Sequence, residues 1–129
     1  MNNQEYLAII LAAGKGSRLQ GDKPKALYNI MGKPMIDYIL ETLSDFKQID
    51  PLVVVGYRKE KLISHLNGSV EHVEQIEQKG TGHAIMQTKA HLESFEGNTL
   101  ILSGDVPLIK KSTLLSLIEK QKKGGYDAC

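Results

Sequence analysis

The chain has no tryptophan, five tyrosines, two phenylalanines and a single cysteine, Cys129 at the last position. One cysteine excludes an internal disulfide framework and is compatible with a reducing cytoplasm. Charge of one sign is also lacking: sixteen lysines and arginines face fifteen aspartates and glutamates, for a net charge of +1. With no field of either sign, neither nucleic acid nor a membrane surface is expected as partner, and any phosphate binding must be local. No long hydrophobic run is present. The opening MNNQEYLAIILAA has no basic leader, and its apolar stretch is too short to span a bilayer, so the chain reads as cytoplasmic. Repeats and low-complexity tracts are missing as well. The four histidines, at 65, 72, 83 and 91, form no HxxxH or Cys/His pair, which argues against zinc. A chain of 129 residues is one domain at most, enough to bury roughly two-thirds of its unfolded surface.

What is there begins at Ile10–Leu19, ILAAGKGSRL, followed by KPKAL at Lys23–Leu27. A short apolar strand, Tyr6–Leu11, runs into Ala12, Ala13, Gly14 and Gly16, small residues that let the backbone approach a ligand. The exposed N–H groups of such a loop make an anion nest. Arg18 offers a planar fork to phosphate oxygens, and Lys25, stiffened by Pro24, a point charge. Together they outline a triphosphate grip. Two better-known phosphate loops do not fit: no GKS or GKT follows, and the GxGxxG pattern meets Leu19 where it needs glycine.

The rest of the chain alternates strands and helices. A helix is expected from Met35 to Phe46, with Ile36, Ile39, Leu40 and Leu43 on one face, and Pro34 starts it. Leu52–Val55 reads as a strand covered on both faces, Lys59–Leu66 as a helix stopped by Asn67 and Gly68, and Val70–Val73 as a weaker strand. Thr81 to about Leu92 is expected as one helix with Met86 as core filling, Thr99–Ser103 as a strand, and Ser112 as the cap of a last helix with Leu114, Leu115 and Ile118 inward. Tyr126–Cys129 looks like the opening of another strand. Repeated βα units predict an α/β fold: a Rossmann-like, doubly wound, mostly parallel sheet with helices on both faces, cut short at its C-terminal side.

Ligands in such sheets collect outside the carboxyl ends of the strands. Gly14, the Gln75–Gly82 segment and Gly104–Pro107 all follow strands, so three distant segments are expected to converge there. A carboxamide such as Gln75 has a donor and an acceptor for a uracil edge, though it is equally a solvated polar residue near a strand end. The GTG run at Gly80–Gly82 is equally a helix entry with Thr81 as N-cap. Asp105 stands at the ligand edge behind one glycine, or else stabilises its own turn.

Three blocks, LAAGKGSRLQGDKPKAL at Leu11–Leu27, EQKGTGHA at Glu77–Ala84 and LSGDVPLI at Leu102–Ile109, carry a resemblance to the sugar-1-phosphate nucleotidyltransferases. Within that family the chain is most similar to the N-acetylglucosamine-1-phosphate uridylyltransferases. The resemblance implies Mg²⁺-dependent transfer of a uridylyl group from UTP to N-acetylglucosamine 1-phosphate, giving the UDP-sugar and pyrophosphate. It assigns Leu11, Ala12, Ala13, Gly14, Gly16 and Lys25 to the nucleotide, with Gln75, Gly80 and Thr81 toward the base. Arg18 and Lys25 become the catalytic cations on the triphosphate, and Asp105 the Mg²⁺ ligand. No nucleophilic side chain is required, because the sugar phosphate itself attacks the α-phosphorus. Lys15 is a further candidate for the phosphates, and Lys79 departs from the family pattern at a position expected to face solvent.

The family's catalytic domain continues beyond position 129. Residues 1–129 therefore look like its nucleotide-binding N-terminal part, expected to turn over poorly alone. The family's second metal ligand, an asparagine, has no counterpart, and Ser103 stands where relatives often carry an aromatic. Cytidylyl or guanylyl transfer by another LAAG-loop enzyme, a non-catalytic nucleotide-binding fragment, and oligomerisation all stay open.

Overall fold

The computed structural model of the chain describes residues 5–16 and 18–129; the first four residues and Ser17 of the glycine loop lie outside the described residues. The spine is strand β1, Tyr6–Leu11. Its unbroken apolar run suits a strand covered on both sides, and Tyr6 through Ile10 are all buried. After the glycine loop the chain makes one 3₁₀ turn at Lys25–Leu27, then a small antiparallel hairpin of β2 (Asn29–Ile30) and β3 (Lys33–Pro34). Sequence reasoning missed this hairpin. Its two-residue strands are too short to show a period, and its turn has positive φ at Met31 and Gly32 (50° and 83°), with methionine where asparagine or aspartate usually signals such a turn.

Helix α1 (Met35–Ser44) buries Met35, Ile36, Ile39 and Leu43. Strand β4 (Ile49–Val55) starts earlier than Leu52, running through Pro51 before it is paired on both sides. Helix α2 (Lys59–Leu66) ends where Asn67 turns left-handed, as its Asn-Gly signal predicts. Strand β5 (Glu71–Glu74) follows.

The helix expected over Thr81–Leu92 is instead two, α3 (Thr81–Met86) and α4 (Lys89–Ser94). Fully buried Thr88 makes the break by donating its hydroxyl to the Ile85 carbonyl at 2.7 Å, which competes with the helix ladder. Met86 then falls on the open side, 71% exposed, and fills no core. Strand β6 (Asn98–Ser103) leads to α5 (Lys111–Gly124), whose N-cap is Lys110 with no side-chain cap, so Ser112 does not cap it. On α5, Leu114 and Ile118 are buried one turn apart while Leu115 is rotated outward. Tyr126–Cys129 forms no strand; the Tyr126 carbonyl accepts a hydrogen bond from Gln121 instead.

The main sheet has four parallel strands in the order β5-β4-β1-β6. Strands added outward on one side, then β6 on the other, make the space between β1 and β6 a topological switch point. One face of the sheet packs Ala8, Ile10, Val53 and Leu102 against α1, α2 and α5, and the other packs Leu7, Ile9 and Val54 against Ala84 of α3, Leu92 of α4 and Phe95. Leu11 pairs with both Val54 and Ser103, so the strands finish level and their following loops share one edge. Among the described residues no helix is long and apolar enough to cross a membrane.

Candidate functional site

A cavity of about 600 Å³ opens at that edge, within the usual range for a small-molecule site. Residues from all three sequence blocks line it. Leu11 at the end of β1 and Ala12, Ala13, Gly14, Gly16, Arg18 and Lys25 of the first loop line it, with Gln75 and Gly80 from the segment after β5, Thr81 from the first turn of α3, and Asp105 from the turn after β6. Lys15 is not among the lining residues; its ammonium lies 5.4 Å from the centre of the Tyr57 ring. Lys79 is exposed and pairs with Glu77.

The first loop is held in place from both sides. Ala12 N–H donates to the Val54 carbonyl, Tyr57 N–H to the Ala13 carbonyl, and Gly104 N–H to the Leu11 carbonyl at 2.8 Å. Gly16 has φ +67°, and a β-carbon there would also press on the Lys25 side chain at 3.1 Å. Sequence reasoning placed Gly104 at the ligand edge but gave it no packing role, yet it is what lets the third block lie against the first. A β-carbon on it would sit 2.7 Å from the Leu11 oxygen. The preceding Ser and following Asp hid this packing role, since a GD pair reads first as a turn.

At one end of the cavity, Lys25 Nζ donates to Asp105 Oδ2 at 2.6 Å, and Ser103 Oγ to Asp105 Oδ1 at 2.5 Å. The Lys25 hydrogen bond, then that of Ser103, holds the Asp105 carboxyl below the usual carboxylate range, with burial opposing. Arg18 lies exposed nearby in sequence, and among the described residues no ion pair engages it. Behind the loop, Arg58 and Lys61 of the α2 region both pair with Asp22, tying down the stretch that leads to Lys25.

At the other end the central polar side chain is neutral and buried, while Gln78, Gly80 and Thr81 beside it are exposed. Gln75 is 3% exposed, and its Nε2 donates to the Gly80 carbonyl at 3.1 Å and to His83 Nδ1 at 3.0 Å. Sequence reasoning gave His83 a capping or packing role; the structure makes it a partner of Gln75. Gln78 and Ala84 also line this region and were not foreseen. Gln78 left no signal, being one more polar residue in a polar loop.

For a cation the donor set is narrow. Among the described residues no three His, Cys, Asp or Glu side chains cluster, and Asp105 is the carboxylate at the cavity. Mg²⁺ is often bound through one or two carboxylates together with substrate phosphates and water, so a single carboxylate at a cavity of this size fits that chemistry.

Residues 8–129 match the family model described as the MobA-like NTP transferase domain. The chain is 41% identical over 122 residues to the bifunctional protein GlmU of Gloeobacter violaceus, an alignment covering 94% of this chain and 27% of that protein. It thus spans about a quarter of the length of that relative. Among solved structures, a nucleotidyl transferase from a Methanothermobacter superposes with a TM-score of 0.71 at 23% identity, covering 89% of this chain and 57% of that one. A CMP:2-keto-3-deoxy-manno-octonic acid synthetase complexed with CTP gives 0.70 at 22%, covering 95% and 49%. At such identities these two structures speak for the fold alone.

Proposed function

Because this chain belongs to the MobA-like NTP transferase family, we propose that its cavity binds UTP and serves uridylyl transfer to a sugar 1-phosphate, namely N-acetylglucosamine 1-phosphate. The observation that carries the reading is the convergence of the glycine loop, Gln75 and Asp105 on one cavity at the β1/β6 switch point. The base would lie against Gln75, Gly80 and Thr81, the sugar and phosphates along the loop from Leu11 to Gly16, and the triphosphate against Arg18 and Lys25.

In the reaction a phosphate oxygen of the sugar 1-phosphate attacks the α-phosphorus of UTP. The bond from the α-phosphorus to the bridging oxygen breaks, and pyrophosphate departs in line. No side chain is covalently engaged, so the chain contributes positioning and positive charge. Asp105 would hold Mg²⁺, which when bound offsets negative charge on the α-phosphate and the leaving pyrophosphate. The Lys25–Asp105 pair then has a second meaning. Phosphate oxygens can take Lys25 while the carboxylate is released to the cation, so two groups neutralise each other until the substrate separates them. Calorimetric titration with UTP, CTP, ATP and GTP in the presence of Mg²⁺ tests the base assignment. UTP is expected to bind tightest; equal affinities, or a preference for CTP, would replace it with a cytidylyl or unspecific reading.

A further inference from the structure

Gln75 is nine-tenths buried or more, and both N–H groups of its carboxamide are directed at partners inside the chain. The Gly80 carbonyl can only accept, so the end of the amide facing it, at 3.1 Å, is the NH₂. That same NH₂ meets His83 Nδ1 at 3.0 Å. His83 must therefore accept at Nδ1, which makes it a neutral imidazole with its proton on Nε2. Gln87 Nε2 also lies 3.3 Å from His83 Nε2, but a protonated nitrogen has no lone pair to offer there. The Gln87 amide instead donates to the His83 carbonyl at 3.0 Å. With its donors spent, Gln75 is left with one free function, the Oε1 acceptor, and among the described residues no hydrogen bond is made to it.

We propose that His83 is a specificity-positioning residue: by accepting from Gln75 it holds the amide with Oε1 toward the base, so that the cavity reads an imide N–H. This rests on the uracil reading above and deepens it. A carboxamide free to rotate could present either its acceptor to the N3–H of uracil or its donors to the unprotonated N3 of cytosine. Two internal acceptors, Gly80 and His83, remove that choice. Rotating the amide would set Oε1 against the Gly80 carbonyl and leave the half-buried His83 Nδ1 without a donor, while the Gln75 side chain itself is almost wholly buried. Discrimination between uracil and cytosine thus comes from a residue that need not touch the base.

The test compares UTP and CTP affinities for the wild-type chain, His83→Leu and His83→Asn. Asparagine places an oxygen acceptor where Nδ1 stands, whereas leucine fills similar space with no acceptor. The wild type and His83→Asn are expected to keep the UTP preference, while His83→Leu loses about tenfold of the UTP/CTP ratio, the worth of one net hydrogen bond. The ¹⁵N shifts of the wild-type ring should place the proton on Nε2. A His83→Leu chain that weakens both nucleotides equally, or a ring protonated at Nδ1, overturns the role of His83 while leaving the uracil reading intact. A wild-type chain with no preference between the two nucleotides overturns the uracil reading itself.

Discussion

The two ends of the cavity hold their groups by different means. Gln75, at the end proposed for the base, is neutral, 3% exposed and bonded twice within the chain. Lys25 and Asp105, at the end proposed for the phosphates, are charged, with 39% and 37% of their side-chain surface exposed, and among the described residues the Lys25 ammonium holds only Asp105. A buried neutral network is expensive to leave half-made, so it stiffens the fold around it. A solvated ion pair contributes little to stability and can be exchanged for a ligand. On the proposed reading, the chain fixes the end that would discriminate the base and leaves exchangeable the end that would grip the phosphates.

The largest effect that would test this contrast is on stability at the base end. Gln75→Leu removes the donor of two hydrogen bonds, to the exposed Gly80 carbonyl and to the half-buried His83 ring, each worth about 1 kcal/mol net, so a loss of about 2 kcal/mol is expected in urea unfolding. Lys25→Ala should change the same measurement by less than about 1 kcal/mol. If the lysine variant were destabilised as much as the glutamine variant, the pair would be a structural clamp rather than an exchangeable grip.

On binding, the order of importance reverses. Arg18→Ala and Lys25→Ala are each expected to weaken UTP by about 1.5–3 kcal/mol, the range for hydrogen bonds to charged groups, while uridine is nearly unaffected. Lys25 should lose less than Arg18 when Mg²⁺ is absent, since it must first give up Asp105, and the gap should narrow when Mg²⁺ is added. Comparing UTP and uridine across both variants by calorimetry checks this. Uridine weakened as much as UTP would mean that the side chain holds the loop's shape instead of a phosphate.

The same contrast explains which parts of the molecule were legible in the sequence. The parallel sheet was, because strands such as YLAIIL and LVVV are buried on both faces and leave uninterrupted apolar runs. The small residues and cations of the first loop were singled out as a group because glycine spacing and paired charges are local signals, and the cavity brings them together with Gln75 and Asp105. What stayed hidden depends on contacts between distant segments. Gly104 matters only because the Leu11 carbonyl lies across from it, and His83 only because β5 delivers Gln75 to the start of α3. The break at Thr88 was missed because a hydroxyl turning back on its own helix looks, in sequence, like any threonine in a helix. Leu115 was placed inward because three apolar residues in α5 share a stretch, whereas packing selects the two that lie one turn apart.

The smallest expected effect concerns acidity at the phosphate end. The Asp105 carboxyl is held below its ordinary value of 3.8, first by the Lys25 hydrogen bond and then by Ser103. As pH falls, the unfolded chain therefore takes up this proton before the folded one does. The pair's contribution is complete above 3.8 and is lost as pH drops through the lower folded value. Because both side chains are more than a third exposed, solvent screens the interaction, and the whole contribution should stay under about 1 kcal/mol. Urea unfolding of the wild type and Lys25→Met between neutral and strongly acid pH isolates it, since other carboxylates are common to both chains. The stability difference is expected to be small and constant from neutral pH to about 5, then to shrink toward zero below the ordinary carboxylate range. A difference that instead grew on acidification would mean that Lys25 stabilises the fold through some contact other than the ionised Asp105, and the exchange of that pair for phosphate and cation would lose its physical basis.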